Sequence, residues 1–305
     1  MLNATDVAAA AELIGAHVRR TPTIRLAAGE LAPVPLVLKL ELLQLSGSFK
    51  ARGAFHFMLT SRPRRVVTAS GGNHGLAVAV AAAALGVAAE VFVPTTTPDT
   101  KLDGLRAAGA AVRQVGAVYA EAAVAARSHA DQHGLPYLHA YDDPAVVAGQ
   151  GTAALELLAD APDVDTVLVA VGGGGLLGGT VAALDGRARA VGVEPRRCPT
   201  LHAALAAGEP VDVEVGGVAV DSLGARRIGT LAFELISATG GPSVLVPDEA
   251  IVEARTALWR SLRLAVEPAA AAALAALRCG AYRPEPGARV ALLVCGGNAS
   301  PGDLR

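Results

Sequence analysis

The chain has 305 residues, 52% hydrophobic and 18% charged, with a formal net charge of −2. Such a balance excludes a disordered chain, which cannot bury enough apolar surface to offset ordering. Without any run of like charges, it offers no footprint for nucleic acid.

At this length one large core or two closely packed domains are expected. The Arg-Pro-Arg-Arg stretch at 62–65 is the densest basic patch and reads as a solvated turn before a strand. No charged-then-apolar leader is apparent, and Ala81–Ala84 sits in an amphipathic pattern, so no membrane association is expected. Cys198, Cys279 and Cys295 are odd in number and far apart, which suits neither a disulfide framework nor a metal pair, so a reducing cytoplasmic setting is expected. Of the 26 basic residues only Lys39, Lys50 and Lys101 are lysines. Chemistry that needs a primary amine has three side chains to choose from.

Short apolar runs alternate with alanine-rich helical stretches along the chain. Strand 35–40 is followed by helix 49–60, strand 65–68, helix 75–85 and strand 89–93. Helix 100–109 ends on glycine, and strand 111–115 and helix 119–133 come next. Helix 147–159, strand 165–171, helix 176–184 and strand 189–193 continue the alternation. Helices 230–239, 247–262 and 269–279 and strand 288–294 complete it. The alternation predicts parallel sheets covered by helices on both faces. Ligands in such folds sit at the carboxyl ends of strands. Three small-residue loops fall there, at 70–75, 172–175 and 295–298.

Gly172-Gly173-Gly174-Gly175 joins a strand to a helix, so its backbone N–H groups can converge on a phosphate beside a helix N-terminus. Which phosphate is open at this point. Gly173, Gly175 and Gly178 also satisfy G-x-G-x-x-G, and Glu194 ends the next strand about 20 residues on, as in a dinucleotide-binding unit. On that segment alone the chain reads as an NAD-dependent oxidoreductase.

Lys50 falls in the first turn of a predicted helix that Ser46 or Ser48 is placed to cap. The positive end of the helix dipole lowers a lysine pKa there, favouring the neutral amine that nucleophilic chemistry needs. An ordinary surface lysine is the competing reading. Ser70-Gly71-Gly72-Asn73-His74-Gly75 lets a ligand approach the backbone closely and offers donors to a carboxylate or phenolic oxygen. His74 is a candidate general base there, against a structural role.

Gly47-Ser48-Phe49-Lys50 with Arg52-Gly53-Ala54, then Thr68-Ala69-Ser70-Gly71-Gly72-Asn73-His74-Gly75, Gly172–Gly175, Glu267-Pro268 and Cys295-Gly296-Gly297-Asn298 occur in this order. Together they resemble the serine/threonine dehydratase and serine racemase family of fold-type-II pyridoxal phosphate (PLP) enzymes. The resemblance spans nearly the whole chain. It implies a two-domain α/β fold like the tryptophan synthase β chain, with parallel-rich twisted sheets flanked by helices. A large PLP-binding domain at 1–51 and 143–305 and a small domain at 52–142 are expected, as is a homodimer.

By the same resemblance Lys50 is the Schiff-base lysine and general base, and Phe49 flanks the cofactor ring. Asn73 meets the ring 3-hydroxyl, Gly172, Gly173, Gly174 and Gly175 cradle the phosphate, and Cys295 faces the pyridine nitrogen. Ser70, Gly71, Asn73 and His74 form the substrate loop. A thiol at Cys295 leaves the pyridine nitrogen largely unprotonated, which favours elimination over reactions needing a stronger electron sink.

The expected activity is water elimination from L-threonine or L-serine, giving a 2-oxo acid and ammonia. Hydroxyaspartate or phenylserine are alternative substrates, and racemisation, or PLP binding without turnover, is an alternative outcome. Racemases of this family use a serine where Gly71 stands. Metal-binding relatives carry an acidic residue where Thr200 follows Glu194-Pro195, so no metal is expected. Biosynthetic threonine dehydratases add a C-terminal regulatory domain that is not expected here.

Overall fold

The computed structural model describes residues 2–299. Asn3 accepts from the amides of Thr5 and Asp6, and Asp6 accepts from the Asn3 amide, closing a capping box on α1 (Ala4–Ile14). That helix, absent from the sequence reading, was signalled by this cap. An antiparallel pair follows, β1 (Thr23–Leu26) with β2 (Leu36–Lys39).

The chain then forms α2 (Lys50–Ser61), β3 (Arg65–Ala69), α3 (Asn73–Leu85) and β4 (Ala88–Val93). Next come α4 (Asp99–Ala107), β5 (Ala111–Gln114), α5 (Tyr119–His133) and α6 (Pro144–Asp160). After them stand β6 (Thr166–Ala170), α7 (Gly175–Leu184), β7 (Arg189–Pro195), α8 (Thr200–Ala207) and α9 (Val220–Leu223). The described chain closes with α10 (Thr230–Ala238), β8 (Ser243–Val246), α11 (Asp248–Leu262), α12 (Pro268–Arg278) and β9 (Val290–Leu293).

Two sheets result. One has six strands in the order β1-β2-β9-β6-β7-β8, parallel except for β1, and the other has three parallel strands, β3-β4-β5. Every residue of β2, β6 and β9 is buried, as parallel strands covered on both faces require. The six-stranded sheet packs on α12, whose Ala269–Leu277 are all buried. The three-stranded sheet shares a second core with α2, α3 and α4, including Phe55, Val78 and Leu105.

A charge network ties α2 to β2 and α6. Arg52, fully buried, donates to Glu41 at 2.8 Å and to Glu156 at 2.8 and 2.9 Å. Lys39, also fully buried, donates to Glu156 at 2.6 Å and to the Thr21 carbonyl at 2.7 Å. Arg52 and Lys39 face Glu41 and Glu156, with Asp160, itself paired with Arg20, 4.0 Å from Lys39, so each charge has partners. Burial opposes the Arg52 charge, but Glu41 and Glu156 outweigh it and raise its pKa.

Candidate active site

Three loops at strand ends converge on Lys50. The Phe49 amide donates to the Cys295 carbonyl at 3.1 Å, and the Gly297 amide to the Gly47 carbonyl at 2.9 Å, joining the loop before α2 to the loop after β9. Gly47 holds a left-handed φ of +72°, and a Cβ there would lie 2.3 Å from the Asn298 side-chain oxygen. Neither Ser46 nor Ser48 caps α2, contrary to expectation: Phe49 is the N-cap residue, and both hydroxyls are buried without a hydrogen-bond partner. Loop-to-loop pairing positions this helix start, and it leaves two hydroxyl groups unpaired in the loop that precedes Lys50.

The Lys50 amine donates to the Ala140 carbonyl at 2.7 Å and stands 5.2 Å from the Phe49 ring centre. Burial pulls it down to about 8, against the opposing pull of Cys295 and Glu267. Cys295 follows β9 and is buried; burial, then Glu267, push its thiol up, so it is a neutral group at physiological pH.

The loop after β3 supplies the facing side. The Gly72 amide donates to the Ser70 hydroxyl at 3.2 Å, and Gly75 must lack a Cβ, which would fall 2.0 Å from the Ser70 carbonyl oxygen. Asn73 donates to both oxygens of Glu267 and accepts from Asn298. Burial raises the Glu267 pKa, against the Asn73 contact that lowers it. Gly71, Gly72 and Asn73 line a cavity of about 170 Å³ together with Lys101, Asp221 and Glu267. His74 is turned into the small core, its Nε2 2.9 Å from the Thr68 hydroxyl and 3.2 Å from the Leu138 carbonyl. Burial, then the Lys50 charge, depress it to about 3, so it stays neutral.

Gly172–Gly174 turn the chain from β6 into α7. Their three amides have no acceptor among the described residues, and Gly174 has a left-handed φ of +89°. A Cβ on Gly173 would sit 2.3 Å from ring atoms of Tyr141. An unpaired amide cluster at a helix N-terminus has the donors a phosphate needs. The dinucleotide reading loses its ribose partner, because Glu194 is fully buried and accepts from the amides of Leu201 and His202 and from the Ser243 hydroxyl.

The surroundings fit pyridoxal phosphate: free amides for its phosphate, a desolvated lysine for its aldehyde, an amide side chain for its hydroxyl and a neutral thiol for its nitrogen. Tyr141 and Asp221 went unnoticed in the sequence, while Glu267 and Asn298 were visible only as members of the Glu-Pro and Cys-Gly-Gly-Asn motifs and Lys101 only as one of three lysines. Among the described residues no group of three or more His, Cys, Asp or Glu side chains is arranged to hold a metal, and no helix is long and apolar enough to cross a membrane.

A family model described as pyridoxal-phosphate dependent enzyme matches residues 14–296. The L-threonine ammonia-lyase of Geobacter sulfurreducens is 40% identical over 91% of this chain and 71% of its own. An L-threo-3-hydroxyaspartate ammonia-lyase from Pseudomonas sp is 34% identical over 96% of this chain and 94% of its own. A solved threonine deaminase from T.th. has a TM-score of 0.90 at 37% identity, covering 98% of this chain and 99% of that one.

Proposed function

The chain belongs to the pyridoxal-phosphate-dependent enzyme family, and we propose that it is an L-threonine and L-serine ammonia-lyase that removes water and releases a 2-oxo acid and ammonia. The observation that carries this reading is that Glu267 joins the two halves of the site: it acts on Lys50, whose pKa is depressed, and accepts from Asn73 of the loop after β3. The bound cofactor supplies the electron sink that acidifies the substrate Cα proton. Lys50, whose depressed pKa favours the neutral amine, would take that proton. Ser70, the amide of Gly71 and Asn73 would receive the substrate carboxylate. The amides of Gly172–Gly175 would hold the phosphate, Asn73 the ring hydroxyl, and Phe49 would flank the ring. Cys295 meets the pyridine nitrogen as a neutral thiol, which favours loss of the β-hydroxyl.

Gly71 carries no side chain with which to return a proton to the opposite face, so dehydration is favoured over racemisation. The reading includes a large domain at 1–51 and 143–305, a small domain at 52–142, a homodimer and a cytoplasmic setting. A second core drawn mainly from 52–142, joined by Ile14, Ala51 and Val146, supports the division, and three free cysteines support the compartment. The test is an absorbance spectrum of the purified protein beside Lys50→Ala, followed by 2-oxo acid assays with L-threonine and L-serine. A borohydride-sensitive visible-edge band lost in the variant, with 2-oxobutyrate from threonine, is expected. A protein that takes up no pyridoxal phosphate would refute it.

A further inference from the structure

Lys101 and Asp221 form an ion pair between α4 and α9. One residue belongs to the three-stranded unit and the other to the segment after β7, so the pair spans the cleft. Both line the cavity to which Gly71, Gly72 and Asn73 contribute, and a Cβ on Gly72 would lie 4.0 Å from the Asp221 carbonyl oxygen. A substrate substituent that enters this cavity from the loop would meet this pair. The side chains are 34% and 74% exposed, so the pair does little for stability. Its consequence is the field it leaves inside the cavity.

Among the described residues Lys101 is the one basic side chain lining that cavity. With Asp221 against it, the ammonium is cancelled where a second substrate carboxylate would need it. The remaining carboxylate, Glu267, is already engaged by Asn73. We propose that Asp221 is a specificity-determining residue, which restricts the cleft to 3-hydroxy amino acids with uncharged β-substituents by engaging Lys101. The inference rests on the dehydratase reading above. A dicarboxylic substrate would meet repulsion from Asp221 and a cation already paired, whereas the methyl group of threonine is indifferent to both.

The test is kcat/KM for L-threo-3-hydroxyaspartate and for L-threonine in the wild type, Asp221→Asn and the double variant Lys101→Gln with Asp221→Asn. Asp221→Asn should raise the ratio of hydroxyaspartate to threonine about fivefold, mainly through KM, as expected for a charge pair at a solvent rim. The gain should shrink with added salt and vanish in the double variant. A ratio that moves less than twofold, or a gain that survives loss of Lys101, would overturn the proposal. If neither substrate reacts with the wild type, the dehydratase reading falls by itself. Calorimetric binding of L-aspartate to the cofactor-loaded wild type and Asp221→Asn then decides the charge argument, with tighter binding to the variant supporting it and equal binding overturning it.

Discussion

Nδ2 of Asn73 lies 2.8 Å from each carboxylate oxygen of Glu267, a forked contact between residues 194 apart in the chain. The Asn73 carbonyl oxygen is committed too, accepting from Asn298 at 2.8 Å. These partners fix which way the amide faces and leave the second lone pair of its carbonyl oxygen for a cofactor hydroxyl. Glu267→Gln places an NH2 group against the Asn73 NH2 group and removes that orientation. Cofactor affinity should fall about tenfold, the size of one lost hydrogen bond to a charged group. Spectroscopic titration of the apoprotein with pyridoxal phosphate measures it, and an unchanged dissociation constant would dismiss Glu267 as an orienting group.

Lys50 gives a pH signature. With its pKa near 8 in the fold, the neutral fraction should grow about tenfold from pH 7 to pH 9 and then level off. The rate of cofactor uptake should follow that curve. A rate still climbing tenfold per pH unit at pH 9 would mark an ordinary lysine. Stability responds in a definite direction. The folded lysine releases its proton near 8 and the unfolded one near 10.5, so the unfolded chain binds more protons in between. Apoprotein stability relative to Lys50→Met should therefore rise from pH 8 to pH 10.5, and the penalty is complete below 8.

Gly173→Ala tests the phosphate cradle. Its Cβ would meet Cγ and both Cδ atoms of the Tyr141 ring at 2.3–2.5 Å, so ring or loop must move. The preference for pyridoxal phosphate over pyridoxal should drop by about tenfold or more, since several phosphate donors shift together. Tyr141→Ala added to it should restore part of that preference. Equal discrimination in wild type and Gly173→Ala would place the phosphate elsewhere.

The β/α alternation was legible because buried parallel strands are continuous apolar runs, as in Thr166–Ala170. Four-residue β1 and β8 were not, since their mixed burial leaves no periodic signal. The glycine loops could be read because close backbone approach restricts residue type. The partners that orient them could not: Asn73 with Glu267 and Lys101 with Asp221 join positions 194 and 120 apart. Glu194 misled for the opposite reason. Its spacing suited a ribose contact, but from β7 it accepts from the Leu201 and His202 amides in the first turn of α8.

Arg52 makes the last prediction, because its position two residues past Lys50 couples stability to the site. Its guanidinium is the partner of Glu41, which is fully buried and whose other side-chain contact is the Thr21 hydroxyl. Arg52→Met leaves that carboxylate uncompensated in the interior and should cost about 3–5 kcal/mol, seen as a melting temperature lower by roughly 10 °C. The loss measures a stranded charge more than the worth of the pair, so removing the charge as well should reverse much of it. Arg52→Met with Glu41→Met is therefore expected to melt closer to the wild type than Arg52→Met alone. If the second substitution instead adds to the first, the network stabilises through its own hydrogen bonds. In either case cofactor uptake by the double variant reports whether Lys50 still projects correctly from a helix whose buried anchor is gone.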